Sequence, residues 1–459
     1  MSGRLGNLRM AAFAAPGIGL SLFYAPFPAI IAAFYATHTA VTTAAIATVL
    51  LLVRVSDAFI DVGIGYASDM TRSPFGRRKP WIAAGAFLAI PACGLLFNPP
   101  ETSGVLYFAF GMAAYYLTLG ITDIPLRSWI GELTNEYAER SRFAAWLTFT
   151  VLVGSMVFLL LPELLNSIGV VPTSRIDARI MSIYGACGMI VLPLGIMLAV
   201  WFLPAGKARG APVRAGVFDM FRAMRTNRPF QILLGAEVAT QIAWGVTYAL
   251  IFIAFETYFG LAETAALILV GATLAQIGCV PIISLISRRV DRHLLWGWSS
   301  ILSALLTPGV LLFKEDTPEQ FVPMAIFVAV LSAFGTAQMM FPAPMVNDAA
   351  DYDTFRTGAH RNGMLYSLRL LTYKASFAIG NAVGFYMLAI VGYDPRSLEN
   401  SDSASMGMLL TFTLVPGLFF LIAGALLLFF PITRRRHAVI TRWLNRRERM
   451  AGNAEANQA

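Results

Sequence analysis

The sequence has 459 residues, of which 57% are hydrophobic and only 13% are charged. This balance excludes an ordinary soluble globular protein and is typical of an integral membrane protein. The net charge of +8 comes from basic residues in alternate loops, so it does not indicate nucleic-acid binding. The three cysteines lie singly in apolar segments and predict neither a disulfide framework nor a metal centre.

Apolar segments long enough to cross a bilayer follow one another along nearly the whole chain. A membrane-spanning helix needs about 20 residues, and the hydropathy pattern predicts twelve of them. The first is too long to be a signal peptide and lacks a small-residue cleavage site. The predicted spans are 12–36, 42–66, 81–98, 104–127, 143–165, 180–203, 229–256, 263–287, 294–313, 321–345, 363–391 and 407–431.

Loop charge predicts the orientation of these spans. Arginine and lysine are concentrated in every second loop and in both terminal segments, whereas the opposite loops contain few cations. By the positive-inside rule the basic side and both termini are cytoplasmic. We therefore expect a multi-pass plasma-membrane protein, in a bacterial inner membrane because no organelle signal is seen.

The long basic segment 204–228 divides the chain close to its middle. The sequence predicts an N-terminal six-helix bundle (1–203), a cytoplasmic linker (204–228), a C-terminal six-helix bundle (229–431) and a cytoplasmic basic tail (432–459). The loops after spans 2 and 8, and those after spans 4 and 10, have similar charge patterns. The predicted fold is all-α with twelve membrane helices of the major facilitator type, which binds its substrate between the halves.

The second predicted span contains two aspartates four residues apart. Asp57 and Asp61 share one helix face, and Arg54 lies one turn earlier. A carboxylate inside the membrane costs at least ~2.5 kcal/mol, so this pair needs a polar cavity or a cation. Two interpretations are open: a structural ion-pair cluster neutralised by Arg54, or a site where carboxylate oxygens bind Na⁺ or H⁺.

Three stretches indicate a family. DAFIDVGIGYASDMTRSPFGRRKPW, GELTNEYAERSR and MVNDAADYDTFRTGAHRNGMLYSL resemble the glycoside–pentoside–hexuronide:cation symporters of the major facilitator superfamily, and the resemblance covers both halves. It implies symport of a glycoside or hexuronide with Na⁺ or H⁺. It also implies that Asp57 and Asp61 bind this cation, as metal ligands if it is Na⁺, with no other cofactor.

The resemblance also assigns roles to polar residues in other spans. Asp123 matches the family's sugar-binding aspartate of helix 4, although an ion pair with Arg127 is equally open. Lys374 matches the helix 11 lysine near the cation site, and the aspartates of spans 2 and 4 are its candidate partners. Arg369 either contacts substrate or extends to the cytoplasmic surface.

Further polar residues fall outside these matches. Glu237 and Gln241 share a face of span 7 and either line a cavity or pair across helices. Charged residues at the cytoplasmic ends of spans predict a latch whose salt bridges form in only one conformation, the alternative being that they only signal topology. The latch residues are Asp69, Arg77, Arg78, Arg142, Asp348 and Asp351.

The chain departs from the family pattern at three positions. Span 1 has no charge, so the family's second sugar-binding aspartate is missing, and Leu147 stands where helix 5 has an arginine. Arg127 replaces the tryptophan that follows the helix 4 aspartate. With Arg127, Arg369 and Lys374 as cavity cations, we expect a uronide rather than a neutral galactoside, with a lysolipid as the alternative.

Two other classes of function were weighed against transport. A membrane-embedded enzyme would need a nucleophile, metal cluster or phosphate-binding loop, and the sequence has no such motif. A non-transporting sensor would need a large soluble appendage. We expect a transporter that acts as a monomer, with a small-molecule substrate and membrane lipids as its partners.

Overall fold

A computed structural model of the chain describes residues 7–24, 26–134, 137–206, 226–314, 317–358, 362–397 and 400–456. These residues are mostly helical and contain no strand, whereas most of the predicted linker (207–225) lies outside them. The helices are α1 (Asn7–Ala14), α2 (Pro16–Leu20), α3 (Phe27–His38), α4 (Thr43–Met70), α5 (Lys79–Phe97), α6 (Val105–Leu133), α7 (Tyr137–Ser167), α8 (Ala178–Phe202), α9 (Arg228–Thr257), α10 (Ala265–Ile286), α11 (Arg292–Leu306), α12 (Phe321–Met340), α13 (Pro342–Thr357), α14 (Asn362–Ile390), α15 (Asp402–Leu428) and α16 (Arg434–Ala456).

Eleven segments of the described chain are long and apolar enough to cross a membrane. The remaining predicted span corresponds to α14, a helix of 29 residues. Arg369, Lys374 and Asn381 lower the hydropathy of α14, so its polarity distinguishes it from the other spans. Because α14 packs against α9 and against α4 of the other half, much of its surface is shielded from lipid. The all-α membrane fold predicted from the sequence is confirmed.

The first predicted span is not one continuous helix. Residues 7–38 form α1, α2, a 3₁₀ turn (Ser21–Phe23) and α3. Tyr24 is extended (φ −104°, ψ 164°), and α3 begins after Pro26. Proline has no backbone N–H and restricts the residue before it, which explains the break. Phe23, Tyr24 and Pro26, on either side of this interruption, line a cavity between the halves.

Proline also divides the segment predicted as span 10. Helix α12 ends at Met340, and α13 begins at Pro342 and continues to Thr357. Gly358, with φ of +74°, ends α13 in the left-handed conformation that glycine adopts without strain. Asp348 and Asp351 therefore lie on a helix and not in the loop predicted after span 10.

Most helix contacts join helices α1–α8 to one another or α9–α15 to one another, and α4 also packs against α14. Within the second of these groups, α9 and α14 approach closely at Gly245 and Gly380. A Cβ at Gly245 would lie 2.4 Å from the carbonyl oxygen of Phe377, so only glycine allows this approach. The close packing brings side chains of α9 and α14 together on one side of the central cavity.

Contacts between the halves are found at the predicted extracellular ends of the spans. Arg175, before α8, pairs with Glu256 of α9 at 2.7 Å. The hydroxyls of Thr48 on α4 and Tyr386 on α14 are 2.5 Å apart. These contacts hold the N- and C-terminal halves together on the side opposite the basic loops.

Candidate functional site

Two carboxylates and two cations meet where α4 faces α14. Lys374 Nζ contacts Asp61 Oδ2 and lies 3.7 Å from Asp57 Oδ2. Arg54 Nη1 is 3.6 Å from Asp57, and the Arg54 guanidinium lies 3.8 Å from the ring centroid of Tyr116. The cluster has no net formal charge, which allows it to be buried in the membrane. Its lysine belongs to one half and its aspartates to the other.

Hydrogen bonding leaves part of this cluster unsatisfied. Asp57 Oδ2 and Asp61 Oδ1 are buried, and neither atom has a hydrogen-bond donor among the described residues. Each oxygen is thus a ready acceptor for a cation or a proton. The two carboxylates are not part of a larger acidic cluster, because no group of three His, Cys, Asp or Glu suited to a metal occurs in the described chain.

Gly120 of α6 makes room for the second aspartate. A Cβ on Gly120 would lie 2.6 Å from Asp61 Oδ1, closer than real Cβ contacts allow. The absence of a side chain at Gly120 thus lets the Asp61 carboxylate turn toward Lys374. Gly120 was not predicted as part of the site, because a glycine in an apolar helix has no chemical signature.

Asp123 is paired with Arg127, as one of the two sequence-based interpretations predicts. Arg127 Nε donates to both carboxylate oxygens of Asp123 at 2.9 and 2.8 Å, and Arg127 Nη2 donates to the hydroxyl of Tyr24 at 3.1 Å. Neither residue of the pair lines the central cavity. The carboxylate matched to sugar binding is therefore engaged by a cation in this structure.

Arg369 forms a second buried ion pair, within the C-terminal half. Arg369 Nε and Nη2 donate to the two carboxylate oxygens of Glu237 at 2.9 and 2.8 Å. The Glu237 side chain is fully buried and that of Arg369 is 11% exposed. The predicted extension of Arg369 to the cytoplasmic surface is wrong, because the buried carboxylate on α9 binds it inside the bundle. Glu237 pairs across helices, whereas Gln241 lines the cavity.

A cavity of about 310 Å³ lies between the halves. Its charged lining residues are all cationic. Their carboxylate partners, Asp57, Glu237 and Asp61, are not among the lining residues. Amide and aromatic side chains make up most of the remaining polar lining. The lining residues are Phe23, Tyr24, Pro26, Pro28, Ala29, Arg54, Leu119, Gln241, Trp244, Tyr248, Gln276, Gln338, Met339, Arg369, Tyr373, Lys374 and Phe377.

The predicted latch residues of the N-terminal half connect helices within that half. Arg78 donates to Glu132 Oε1 at 2.8 Å and to Ser68 Oγ at 2.7 Å, and it also pairs with Asp69. Arg77 donates to the same Glu132 oxygen at 3.0 Å. These bonds tie the end of α4 to the end of α6. Sequence reasoning missed Glu132, whose signal was its place in the GELTNEYAERSR stretch.

The other latch residues also bond within their own half. Arg142 donates to Asn7 Oδ1 at 2.9 Å, which joins α7 to α1. Asp348 on α13 lies 3.3 Å from Arg292, and Asp351 lies 3.0 Å from Nε2 of His437 on α16. The tail helix therefore docks on α13 through a histidine that the sequence analysis did not single out.

The two-bundle helical fold, with a charged site and a cavity between the bundles, defines the class of protein: a membrane transporter of the major facilitator type. A family model described as "MFS/sugar transport protein" matches residues 12–434, and the chain belongs to this family. The family predicted from the sequence motifs is thereby confirmed.

Relatives and solved structures agree with this assignment. The chain is 22% identical to "Inner membrane symporter YicJ" of Escherichia coli (strain K12), over 85% of this chain and 84% of that protein. It is 24% identical to "Glucuronide carrier protein homolog" of the same strain, over 91% of each. The crystal structure of the nucleoside transporter NupG matches with a TM-score of 0.62 at 13% identity, covering 93% of this chain and 100% of that chain.

Proposed function

We propose that the protein transports an acidic sugar derivative together with a cation, Na⁺ or H⁺, that binds at Asp57 and Asp61. The observation that carries this proposal is the contact of Lys374 with Asp61 across the two halves, in the wall of the central cavity. A cation at the carboxylates would compete with the Lys374 ammonium for the same oxygens. Cation binding and the position of Lys374 are therefore linked.

This linkage supplies a coupling mechanism. When a cation neutralises Asp57 and Asp61, Lys374 is released from them and its charge becomes available to an anionic substrate in the cavity. Substrate binding then favours the cation-loaded state, and cation binding favours substrate by the same factor. Release of Lys374 also removes an ion pair between the halves, which lets the bundles rock around the site.

The cavity lining supports an acidic substrate. Arg54, Arg369 and Lys374 are the charged residues that line the cavity, and no carboxylate is among the described lining residues. A cavity of about 310 Å³ is at the small end of ligand pockets. It suits a sugar derivative better than the acyl chain of a lysolipid. One relative is named as a glucuronide carrier homolog, which supports a uronide.

The proposed orientation places the basic loops and both termini in the cytoplasm. The halves meet through Arg175 and Glu256 at the opposite end, so the structure corresponds to a carrier held together at its extracellular side. We place the protein in the plasma membrane, as a multi-pass carrier of a bacterial inner membrane.

Uptake into proteoliposomes tests the proposal. Labelled methyl glucuronide, methyl galactoside and a lysophospholipid are supplied in turn, with an inward Na⁺ gradient, an inward proton gradient or neither. We expect gradient-driven uptake of the glucuronide, lost in Asp61→Asn and retained in Asp402→Asn, which changes an exposed aspartate of α15. Uptake that no cation gradient drives, or that survives in Asp61→Asn, would overturn the coupling site. Preference for the lysophospholipid would overturn the sugar assignment.

A further inference from the structure

The amide side chains among the described lining residues all come from the C-terminal half, which also supplies the cations Arg369 and Lys374. Gln241 and Trp244 come from α9, Gln276 from α10 and Gln338 from α12. Amide groups both donate and accept hydrogen bonds, and an indole offers a flat apolar face with one donor. These are the groups that fit a sugar ring, which has hydroxyls around its edge and C–H bonds on its faces.

Trp244 is held in one orientation by its neighbours. Its Nε1–H donates to Gln338 Oε1 at 2.8 Å, and Gln338 Nε2 donates to Ser303 Oγ at 3.1 Å. Phe420 meets the indole edge-on with ring centroids 5.5 Å apart. Gly335 leaves space for the ring, because a Cβ there would lie 2.7 Å from Trp244 Cζ2. The indole is therefore fixed before any ligand arrives, which lowers the entropic cost of binding to it.

The side-chain amides of Gln241 and Gln276 have no hydrogen-bond partner among the described residues, although both side chains line the cavity. Gln241 is only 7% exposed. A buried amide left without partners is destabilising, so a side chain of this kind needs a ligand or water beside it. The amide nitrogen of Gln276 lies 3.5 Å from the position that a Cβ of Gly335 would take, next to the Trp244 ring. The free amide of Gln276 thus borders the fixed indole.

The described lining residues of the N-terminal half include no amide side chain, and their polar members are Tyr24 and Arg54. Asp123, the residue matched to the family's sugar-binding aspartate, is occupied by Arg127 and does not line the cavity. Span 1 has no carboxylate at all. Recognition of hydroxyl groups therefore has to come from other side chains, and the free amides of α9 and α10 are placed to supply it.

We propose that Gln241 and Gln276 bind hydroxyl groups of a sugar ring that lies against Trp244, and that Gln338 is a positioning residue for this indole. Arg54, Arg369 and Lys374 then bind the acidic group of the same substrate. This inference rests on the proposed function, since it assumes that the substrate is a sugar derivative. It adds that hydroxyl recognition resides in the C-terminal half.

Analogues that lack single hydroxyls provide the test. Competition with uptake of labelled methyl glucuronide is measured for the unlabelled parent and its 2-, 3- and 4-deoxy forms, in wild-type protein, Gln241→Leu and Gln276→Leu. Leucine preserves volume but cannot hydrogen-bond. We expect each variant to bind the unlabelled parent about tenfold more weakly than the wild-type protein does. The deoxy form that lacks the hydroxyl bound by the replaced glutamine should bind to that variant as well as the parent does. Such non-additivity identifies a direct pair.

A matched control and a second readout keep the outcomes separate. Gln231→Leu changes an exposed glutamine at the other end of α9 and should behave as wild type. Dependence of the residual uptake on the driving cation should be unchanged in both cavity variants, because Asp57 and Asp61 are untouched. If a leucine variant fails to fold, the shorter Gln241→Asn and Gln276→Asn replace it.

Three results are informative. If both variants bind the parent with wild-type affinity and lose as much affinity for the deoxy forms as the wild-type protein does, the two glutamines do not bind the hydroxyls. That result would leave the proposal of cation-coupled transport intact. A uniform loss for all analogues would show that the amides only support the structure, and would also overturn the inference. If wild-type protein carries no sugar at all, the proposed function fails together with it.

Discussion

Lys374 contacts Asp61 across the two halves of the molecule, within 3.7 Å of a second carboxylate on Asp57. The ammonium stands beside the oxygens that a coupling cation would need. The halves also meet through Arg175 with Glu256 and Thr48 with Tyr386 at the predicted extracellular ends, whereas the pair of Lys374 with Asp61 lies deep in the spans. In the mechanism that we propose, the cation therefore binds at a contact between the halves.

Removal of the lysine charge should strengthen cation binding while abolishing coupling. In Lys374→Met, Asp57 and Asp61 lose their competing ammonium, and repulsion between the two carboxylates favours a bound cation. We expect the affinity for the driving cation to rise at least tenfold and gradient-driven glucuronide uptake to be lost. Calorimetric titration of the cation and liposome uptake measure the two effects.

The control for this variant is Lys314→Met, which removes an exposed lysine from a predicted extracellular loop. It should leave both measurements at wild-type values. An unchanged or weaker cation affinity in Lys374→Met would contradict competition between lysine and cation.

A methyl group at Gly120 should disable the cation site without changing its chemistry. The added Cβ would lie 2.6 Å from Asp61 Oδ1, so the carboxylate must turn away from Lys374. We expect Gly120→Ala to weaken cation binding about tenfold or more, because the two carboxylates no longer converge. Gly63→Ala is the matched control, since nothing lies within 4 Å of a Cβ built there. Equal cation affinity in these two variants would show that Asp61 does not need this space.

The buried pair of Glu237 and Arg369 should dominate the stability of the C-terminal half. Removing one partner leaves an uncompensated buried charge, which typically costs 3–5 kcal/mol. We expect Glu237→Gln to lower the melting temperature in detergent clearly more than Glu263→Gln, which changes an exposed glutamate beyond the end of α9.

A double variant separates stability from function at this pair. Glu237→Met with Arg369→Met replaces both charges and should recover most of the lost melting temperature, because no unpaired charge remains. Glucuronide uptake should stay low, since the cavity lacks one of its cations. Full uptake by the double variant would exclude Arg369 from substrate binding.

Sequence periodicity predicted some of these relationships and had no means of predicting others. The four-residue spacing of Asp57 and Asp61 places them on one helix face, and the same spacing predicts the pair of Asp123 with Arg127. Contacts between residues on different helices could not be predicted in this way. Nothing in a single sequence states that α4 faces α14, so neither the contact of Lys374 with Asp61 nor the role of Gly120 was predictable from spacing alone.

The predicted helix ends were least accurate in a segment rich in charged residues, which we predicted to be a loop. Residues 342–357 contain three aspartates and an arginine, a composition that favours a loop, yet they form α13. Helix α13 is stabilised by tertiary contacts, among them the pair of Asp348 with Arg292. In the first span we predicted one continuous helix over 12–36, whereas the helix is interrupted before α3, where Pro26 and Pro28 stand in the sequence.

The tail helix should depend on one arginine for its attachment. Arg434 donates from Nη2 to the carbonyl oxygen of Ser287 at 2.5 Å and also contacts that of Arg288, just beyond the end of α10. A cation at a helix C-terminus satisfies free carbonyls and interacts favourably with the helix dipole. In Arg434→Ala we expect amide hydrogens of residues 434–444 to exchange about tenfold faster, as measured by mass spectrometry. Arg435→Ala removes the same charge from an exposed neighbour and should keep wild-type exchange. Equal acceleration in both variants would mean that net charge, and not the bonds made by Arg434, holds α16 against the bundle.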